Sequence, residues 1–401
     1  MNYIINTPIK HENVIFENRV VLQPMEGCDC NTDGTPSDLT VAKYRTAARS
    51  GAGVIWLEAC AVCPEGRTSE RQMMLTRENV KVFKEFTDTL RRIALEECGT
   101  RPILIIQLTH SGRQSIVPMI AYRHPIYEEK RPQTDANIVS DEYLDTVPQM
   151  YADTALLAVE AGFDGVDVKS CHGYLMPELM SAFTREGRYG GSFENRTRLY
   201  FDAIRAVKNA VPNDYLVCAR LGIADMVPYP YGFGTTAKNE LDLREPDMVL
   251  QKLTELGITL LNVTIGNPYY NPHINRPFRK GAYIPPEPPK AGLDRFYEVE
   301  SHIKEKFPNI TLVGSALSYY RSDLIERAEE QLRDGICDLV GFGRGWLAYP
   351  MFYKDFTNGE FDPKKCCIAC SKCTALMRAK CVSGCAVFND YYKKLYEEKV
   401  K

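Results

Sequence analysis

The 401-residue sequence has no apolar run near the ~18–20 residues that a membrane-spanning helix requires. Its start, Met1-Asn2-Tyr3-Ile4-Ile5-Asn6, lacks the basic stretch followed by an apolar one that marks an export signal. Neither sign of charge dominates. The 49 Lys and Arg against 52 Asp and Glu leave a net −3 with the basic residues scattered, so there is no electrostatic footprint for nucleic acid. No repeat of ~20–50 residues and no low-complexity tract is present. Nothing resembling Gly-x-Gly-x-x-Gly follows the first apolar strand, which weakens the case for a doubly wound dinucleotide fold. The expectation is a soluble, cytoplasmic protein with no membrane and no nucleic-acid partner. Its 44% hydrophobic content suffices for a large core.

Cysteine is not scarce. Eight of the 14 are scattered from Cys28 to Cys337, and six crowd between Cys366 and Cys385. A long chain without an export signal is a poor candidate for a disulfide framework. Scattered cysteines are ordinarily small buried hydrophobes, but the crowded six need another explanation.

Short β-branched or aliphatic runs recur along the chain: Arg19–Leu22, Val54–Glu58, Ile103–Leu108, Val166–Lys169, Leu216–Leu221, Leu260–Thr264, Thr311–Gly314 and Leu339–Gly341. Each reads as a strand buried on both faces, as in a parallel sheet covered by helices. Amphipathic stretches lie between them, among them Met150–Val159, Arg198–Val211, Pro246–Leu256 and Ser322–Asp334. Eight alternations predict an α/β protein, a (β/α)8 TIM barrel over residues 1–362, with a cysteine-rich extension over 363–401. Two connections are long: Ser115 to Pro148 after the third strand, and Gly266 to Lys290 after the sixth. The second holds seven of the 24 prolines among several aromatics, as a wall over a pocket would, although a solvated excursion is the plainer alternative.

Polar residues collect just past the strands, where barrel enzymes build their sites. Pro24-Met25-Glu26 follows the first strand, Glu58-Ala59-Cys60 ends the second, and Gln107 to Arg113 ends the third. Lys169 to Tyr174 follows the fourth, Arg220 ends the fifth, and Asn262 and Thr264 mark the sixth. Gly314-Ser315-Ala316 and Gly341 to Gly345 close the last two. Glycines at both of these last turns, together with Arg344, match the usual barrel phosphate site.

These stretches resemble the old yellow enzyme family of FMN-dependent ene-reductases, and within it the barrel part of bacterial 2,4-dienoyl-CoA reductases and related enoate and steroid reductases. The matching segments are Asn18 to Met25, Glu58 to Arg67, Gln107 to Arg113, Ala161 to Gly165, His172 to Leu175, Tyr189 to Arg196 and Asp338 to Arg344. The resemblance implies that Pro24, Met25 and Ala59 line the isoalloxazine of FMN, and that Gln107 bonds its pyrimidine edge. It places Arg220 near flavin N1 and C2=O, where a fixed cation stabilises the charge of the reduced ring. An ion pair capping the strand is the plainer alternative for Arg220. Gly314, Ser315, Gly343 and Arg344 would hold the phosphate.

Relatives carry two histidines, or a histidine and an asparagine, where this chain has Lys169 and His172. An ammonium also donates to a carbonyl oxygen, and it equally suits a substrate carboxylate. Tyr174 matches the family's proton donor, and His273 resembles a histidine that assists it. A structural role is the alternative for both His172 and His273. Glu26 replaces a smaller residue beside flavin C4=O. Ionised, it lowers the flavin potential; neutral, it donates a hydrogen bond.

Cys367, Cys370 and Cys373 are spaced two apart, and Cys385 follows after eleven more residues. Three thiolates from a tight turn and a fourth from the returning chain suit an iron–sulfur cube, and four-cysteine zinc is the rival. Dienoyl-CoA reductases resemble this arrangement and hold a [4Fe-4S] cluster, with a second gap one residue longer. Cys366 and Cys381 are spare, and Cys381 is an alternative to Cys385. Those relatives continue into FAD- and NAD(P)H-binding domains, whereas this chain ends at Lys401. The expected electron source is therefore an external reductase, ferredoxin or electron-transfer flavoprotein, with NAD(P)H acting directly as the competing route. The expected substrate is a small unsaturated carbonyl or carboxyl compound. An amine dehydrogenase resembling trimethylamine dehydrogenase, or an electron-transfer subunit without its own substrate, are the alternatives. A homo-oligomer is left open.

Overall fold

The computed structural model describes residues 3–400. The apolar runs become eight strands: β1 (Val20–Leu22), β2 (Val54–Ala61), β3 (Ile103–Thr109), β4 (Gly165–Val168), β5 (Leu216–Ala224), β6 (Leu260–Ile265), β7 (Thr311–Gly314) and β8 (Leu339–Phe342). All pair in parallel, each with its neighbour in sequence, and β8 returns to β1 to close the barrel. The predicted fold is the observed one.

Side-chain alternation sorts these strands into two shells. Val20, Leu22, Ile55, Leu57, Leu104, Ile106 and their equivalents pack outward on helix residues such as Leu90, Tyr151, Ile204 and Val299. Val21, Val54, Trp56, Ile103, Ile105, Leu216, Leu260, Val313 and Leu339 form a separate cluster with no helix residue in it, which is the barrel interior. Phe16, from the hairpin of Ile9–His11 and Val14–Phe16, joins this cluster and closes the N-terminal end. Each such side chain contributes about 1.5–3 kcal/mol on burial. The inward positions one step further along the strands are polar instead: Gln23, Gln107, Asp167 and Asn262, all buried. An apolar plug below and a polar layer above put the chemistry at the C-terminal mouth.

The long connection after β3 is shorter than predicted. A helix begins at Asp141 and runs to Glu160 with Pro148 inside it. The Ser140 side chain caps it by accepting from the Tyr143 N–H at 3.2 Å, and buried Leu144 and Val147 anchor the turn before the proline. Packing thus overrides the proline as a stop signal. The connection after β6 holds one short helix, Pro272–Asn275, before the helix Pro289–Lys306.

Beyond the helix Phe352–Thr357, the helices Lys372–Arg378 and Asp390–Lys399 build a small apolar cluster of Leu376, Val382, Ala386 and Tyr392, joined by Leu39 of the barrel. Backbone bonds tie this extension to the barrel mouth. Ser383 N–H donates to Gly27 C=O after β1 at 2.7 Å, and Arg279 N–H, after β6, donates to Ala369 C=O at 3.0 Å. No helix among the described residues is long and apolar enough to cross a membrane.

Candidate active site

The floor of the mouth is a row of three residues on adjacent strands. In register, Ala59 of β2 faces Gln107 of β3, which faces Asp167 of β4. Asp167 was not singled out in the sequence, yet it organises the row. Its carboxylate accepts from Gln107 Nε2 at 2.6 Å, from Trp56 Nε1 at 3.0 Å and from the Arg220 backbone N–H at 2.6 Å. Burial still pushes it up, to about 6. The readable signal was an acid between two valines at an inward strand position.

Arg220 stands over this row. Its Nη1 donates to Pro24 C=O at 3.4 Å, and its Nε is buried without a partner. Among the described residues no carboxylate forms an ion pair with the guanidinium, so the strand-capping ion pair is not the contact observed. Met25 lies against Gly343, where a Cβ would come within 3.0 Å of Sδ, so glycine there lets the two turns meet. Glu26, His172 and Arg220 are deep in the molecule yet keep accessible surface, which means that a cleft reaches them. Burial, followed by the Glu58 carboxylate, raises Glu26 to about 8, which favours its neutral form. Behind it, Lys43 bridges Glu58 at 2.5 Å and Asp29 at 3.1 Å in a buried ion cluster that the sequence reading did not assign.

Over the cleft stand Lys169, His172 and Tyr174. Lys169 Nζ lies 4.1 Å from the centre of the Tyr174 ring. Burial lowers both nitrogen bases. His172 is pushed furthest, since Arg220, Lys169 and Arg276 add positive charge around it, and it stays neutral. The Tyr174 hydroxyl is raised well above its ordinary value by burial, and it sits 3.4 Å from the hydroxyl of Tyr269. The turn is tight: His172 and Gly173 both have positive φ, and a Cβ on Gly173 would strike Asn267 Nδ2 at 2.2 Å. This contact brings the loop after β6 down onto the turn after β4.

That loop supplies Tyr269, not His273, to the tyrosine. His273 Nδ1 pairs with the Tyr283 hydroxyl at 2.7 Å, and the imidazole lines a separate small pocket with Pro277, Phe278 and Glu287. The expected assistance of Tyr174 by His273 is therefore not the contact observed. The prolines of its own loop hold His273 outward. Tyr269 lay in the aromatic run but carried no distinguishing signal.

At the turns after β7 and β8, Gly314 pairs with Val340. Ser315 spends its N–H on Glu300 at 2.8 Å and its hydroxyl on Val263 C=O at 2.9 Å. Arg344 donates from Nη2 to Pro277 C=O at 2.8 Å and leaves Nη1 buried without a partner. Two unpartnered guanidinium nitrogens, on Arg220 and Arg344, and the unpartnered Asn262 Oδ1 suit a bound ring with an anionic tail. FMN fits these residues, with Ser315 held inward by the protein.

Cys367, Cys370, Cys373 and Cys385 line one pocket together with Arg344, Lys372 and Phe388. Cys366 is buried in the main core and Cys381 donates to Ala379 C=O at 3.5 Å, so neither spare thiol lines it. Among the described residues no three His, Cys, Asp or Glu side chains close on one point tightly enough for a single metal ion.

Residues 5–259 match the NADH:flavin oxidoreductase / NADH oxidase family. A "NADH oxidase" of Thermoanaerobacter brockii is 29% identical over 368 residues, which are 90% of this chain and 51% of that protein. This chain thus spans about half the length of that relative. Among solved structures, 2-naphthoyl-CoA reductase in complex with 2-naphthoyl-CoA superposes with a TM-score of 0.78 at 19% identity, over 98% of this chain and 58% of the other. An old yellow enzyme homologue from Zymomonas mobilis gives 0.67 at 21% identity, over 88% of this chain and 92% of the other. The first likeness takes in the cysteine-rich extension. Matched in sequence over its N-terminal and central strands and in fold over the whole barrel, the chain belongs to the NADH:flavin oxidoreductase / NADH oxidase family, the old yellow enzyme family of FMN-dependent oxidoreductases.

Proposed function

We propose that this protein is an FMN-dependent ene-reductase acting on an α,β-unsaturated carbonyl or carboxyl compound, with a [4Fe-4S] cluster in its extension. The observation that carries the reading is the convergence on one cleft of an unpaired Arg220, two nitrogen donors and a protonated tyrosine. FMN, when bound, supplies the hydride that reduces the alkene.

Pro24, Met25 and Ala59 would line its ring, Gln107 and Arg220 its pyrimidine edge, and Gly314, Gly343 and Arg344 its phosphate. Ser315 would contribute only if Glu300 released it. The protein's own part is binding, orientation and proton handling. Lys169 and His172 donate to the substrate oxygen and favour the negative charge that develops there. Tyr174, kept protonated by its burial, holds the proton for the α-carbon, with the Tyr269 hydroxyl beside it as the relay to solvent. Neutral Glu26 adds a donor rather than a charge. The cleft is rich in cations, with Lys169, Arg220 and Arg276, which disfavours the ammonium form of an amine substrate.

Cys367, Cys370, Cys373 and Cys385 would hold the cluster. A zinc ion needs four sulfurs at about 2.3 Å from one point, and no three of the described side chains close on one point in this way; three closely spaced cysteines with a distant fourth support the cube. We divide the chain accordingly into a barrel, 1–362, and a cluster-binding extension, 363–401. NAD(P)H at the cleft, or a protein donor at the extension, is the proposed source of electrons.

Anaerobic stopped-flow mixing with NADH and NADPH, followed by a cyclic enone, an enoate and an enoyl thioester, tests the reading. The expected result is flavin bleaching and recovery with one of these alkenes. Bleaching of the oxidised flavin by trimethylamine, with no recovery by any alkene, would replace it by the amine dehydrogenase.

A further inference from the structure

Arg276, at the end of the short helix Pro272–Asn275, adds positive charge to the cleft but holds neither substrate nor flavin in the reading above. Its Nε is buried without a partner, and no ion pair or hydrogen bond joins its guanidinium to the described residues. The charges that act on it belong to Arg344, Cys373, Arg378 and Tyr269, with no carboxylate among them. Burial and Arg344 together push it down to about 10. Arg344 lines the cysteine pocket. Its one bonded nitrogen, like that of Arg378, donates only to a carbonyl of the same loop, Pro277 and Pro268 respectively. Three guanidinium groups therefore gather between the barrel mouth and the four thiols, with no acid among the described residues to neutralise them; the phosphate assigned above would answer Arg344 Nη1, and Arg276 is left with no countercharge. Partly buried cations of this kind are costly unless an anion completes the site.

Resting on the cluster assignment made above, we propose that Arg276, together with Arg344, is the countercharge of the cysteine pocket on its barrel side. It is a positioning residue that stabilises the added electron of a thiolate-held cluster and so raises the cluster's reduction potential. Four thiolates supply the anion that the arginines lack, and each electron taken up makes the site one unit more negative. A fixed cation nearby favours that reduced state. Arg276 also adds positive charge at His172.

The experiment is a dithionite potentiometric titration of the holoprotein, with the reduced cluster read by its electron paramagnetic resonance signal. Dithionite is the one-electron reductant, and iron and sulfide are assayed on each sample. Arg276→Gln is expected to lower the midpoint by about tenfold in the one-electron equilibrium, which is 59 mV. Arg276→Lys is expected to restore most of it. Arg378→Gln, on the exposed side, should move it the same way by less, and serves if the Arg276→Gln protein fails to hold iron. Midpoints unchanged in both glutamine variants, with iron and sulfide at the wild-type level, overturn the proposal while the cluster assignment stands. A wild-type protein that carries no iron and sulfide after anaerobic reconstitution overturns both.

Discussion

Replacing Asp167 with Asn tests how the floor of the mouth is held. The carboxylate accepts three N–H donors, at 2.6, 2.6 and 3.0 Å. Asparagine keeps one acceptor oxygen, which can retain the Arg220 backbone N–H. Its amide NH2 then faces Trp56 Nε1 and Gln107 Nε2, a donor against two donors. Two charge-assisted bonds are lost, about 1.5–3 kcal/mol each. Against this, the variant no longer holds a buried charge whose pKa is raised from 3.8 to about 6. That shift of about two units costs the wild type about 3 kcal/mol at neutral pH. The two effects largely cancel, leaving a net destabilisation of about 0–3 kcal/mol.

The loss falls instead on geometry, because the Gln107 amide swings away from its place. FMN affinity, read by quenching of flavin fluorescence, should fall by about tenfold at pH 8, equivalent to about 1.4 kcal/mol. The sign of the pH dependence follows from the raised pKa. Below about pH 6 the wild-type acid is itself protonated and has lost its charge-assisted bonds, so the two proteins should converge. Equal affinities at pH 8, or a tenfold gap that persists unchanged at pH 5, would refute the role given to Asp167.

Tyr174→Phe should leave flavin reduction intact and slow enone turnover by about 10²–10⁴-fold, whereas Tyr269→Phe, one hydroxyl further away, should cost less; stopped-flow separates the two half-reactions. Cys373→Ala should abolish iron retention, and Cys381→Ala should not, since only the first lines the pocket; iron and sulfide analysis of the anaerobically reconstituted proteins decides. Glu300 is raised from 4.5 to about 8 by burial, so the folded state binds its proton more tightly and stability declines as pH rises from about 4.5 to 8. Glu300→Gln removes this contribution, on the order of 4 kcal/mol, and denaturant melts at pH 5 and pH 9 should show a smaller decline in the variant.

The barrel was legible because all eight strands are buried on both faces and read as apolar runs. Their ends were less so. β2 was expected to stop at Glu58 but continues to Ala61 beyond a bulge, and β5 continues to Ala224, because paired backbone, not side-chain polarity, defines a strand. Pro148 marked a boundary in the sequence that tertiary packing removed. Among the site residues, those at strand ends were visible as polar interruptions: Glu26, Gln107, Lys169 and Arg220. Tyr269 and Arg276 were not, because they come from a loop whose path is set by a distant contact between Gly173 and Asn267. His273 misled for the same reason, since its spacing resembled a family motif while its loop turned it outward. Asp167 was legible in principle, as a charge at an inward position.

The most direct test of the central claim is anaerobic reoxidation. Protein loaded with FMN is reduced with dithionite and mixed with an enone, an enoate and an enoyl thioester in turn, with the oxidised flavin band followed and the organic product identified. The account predicts that the band returns with at least one of them, with one saturated product formed per flavin. A band that returns with oxygen but with none of the three alkenes would contradict it.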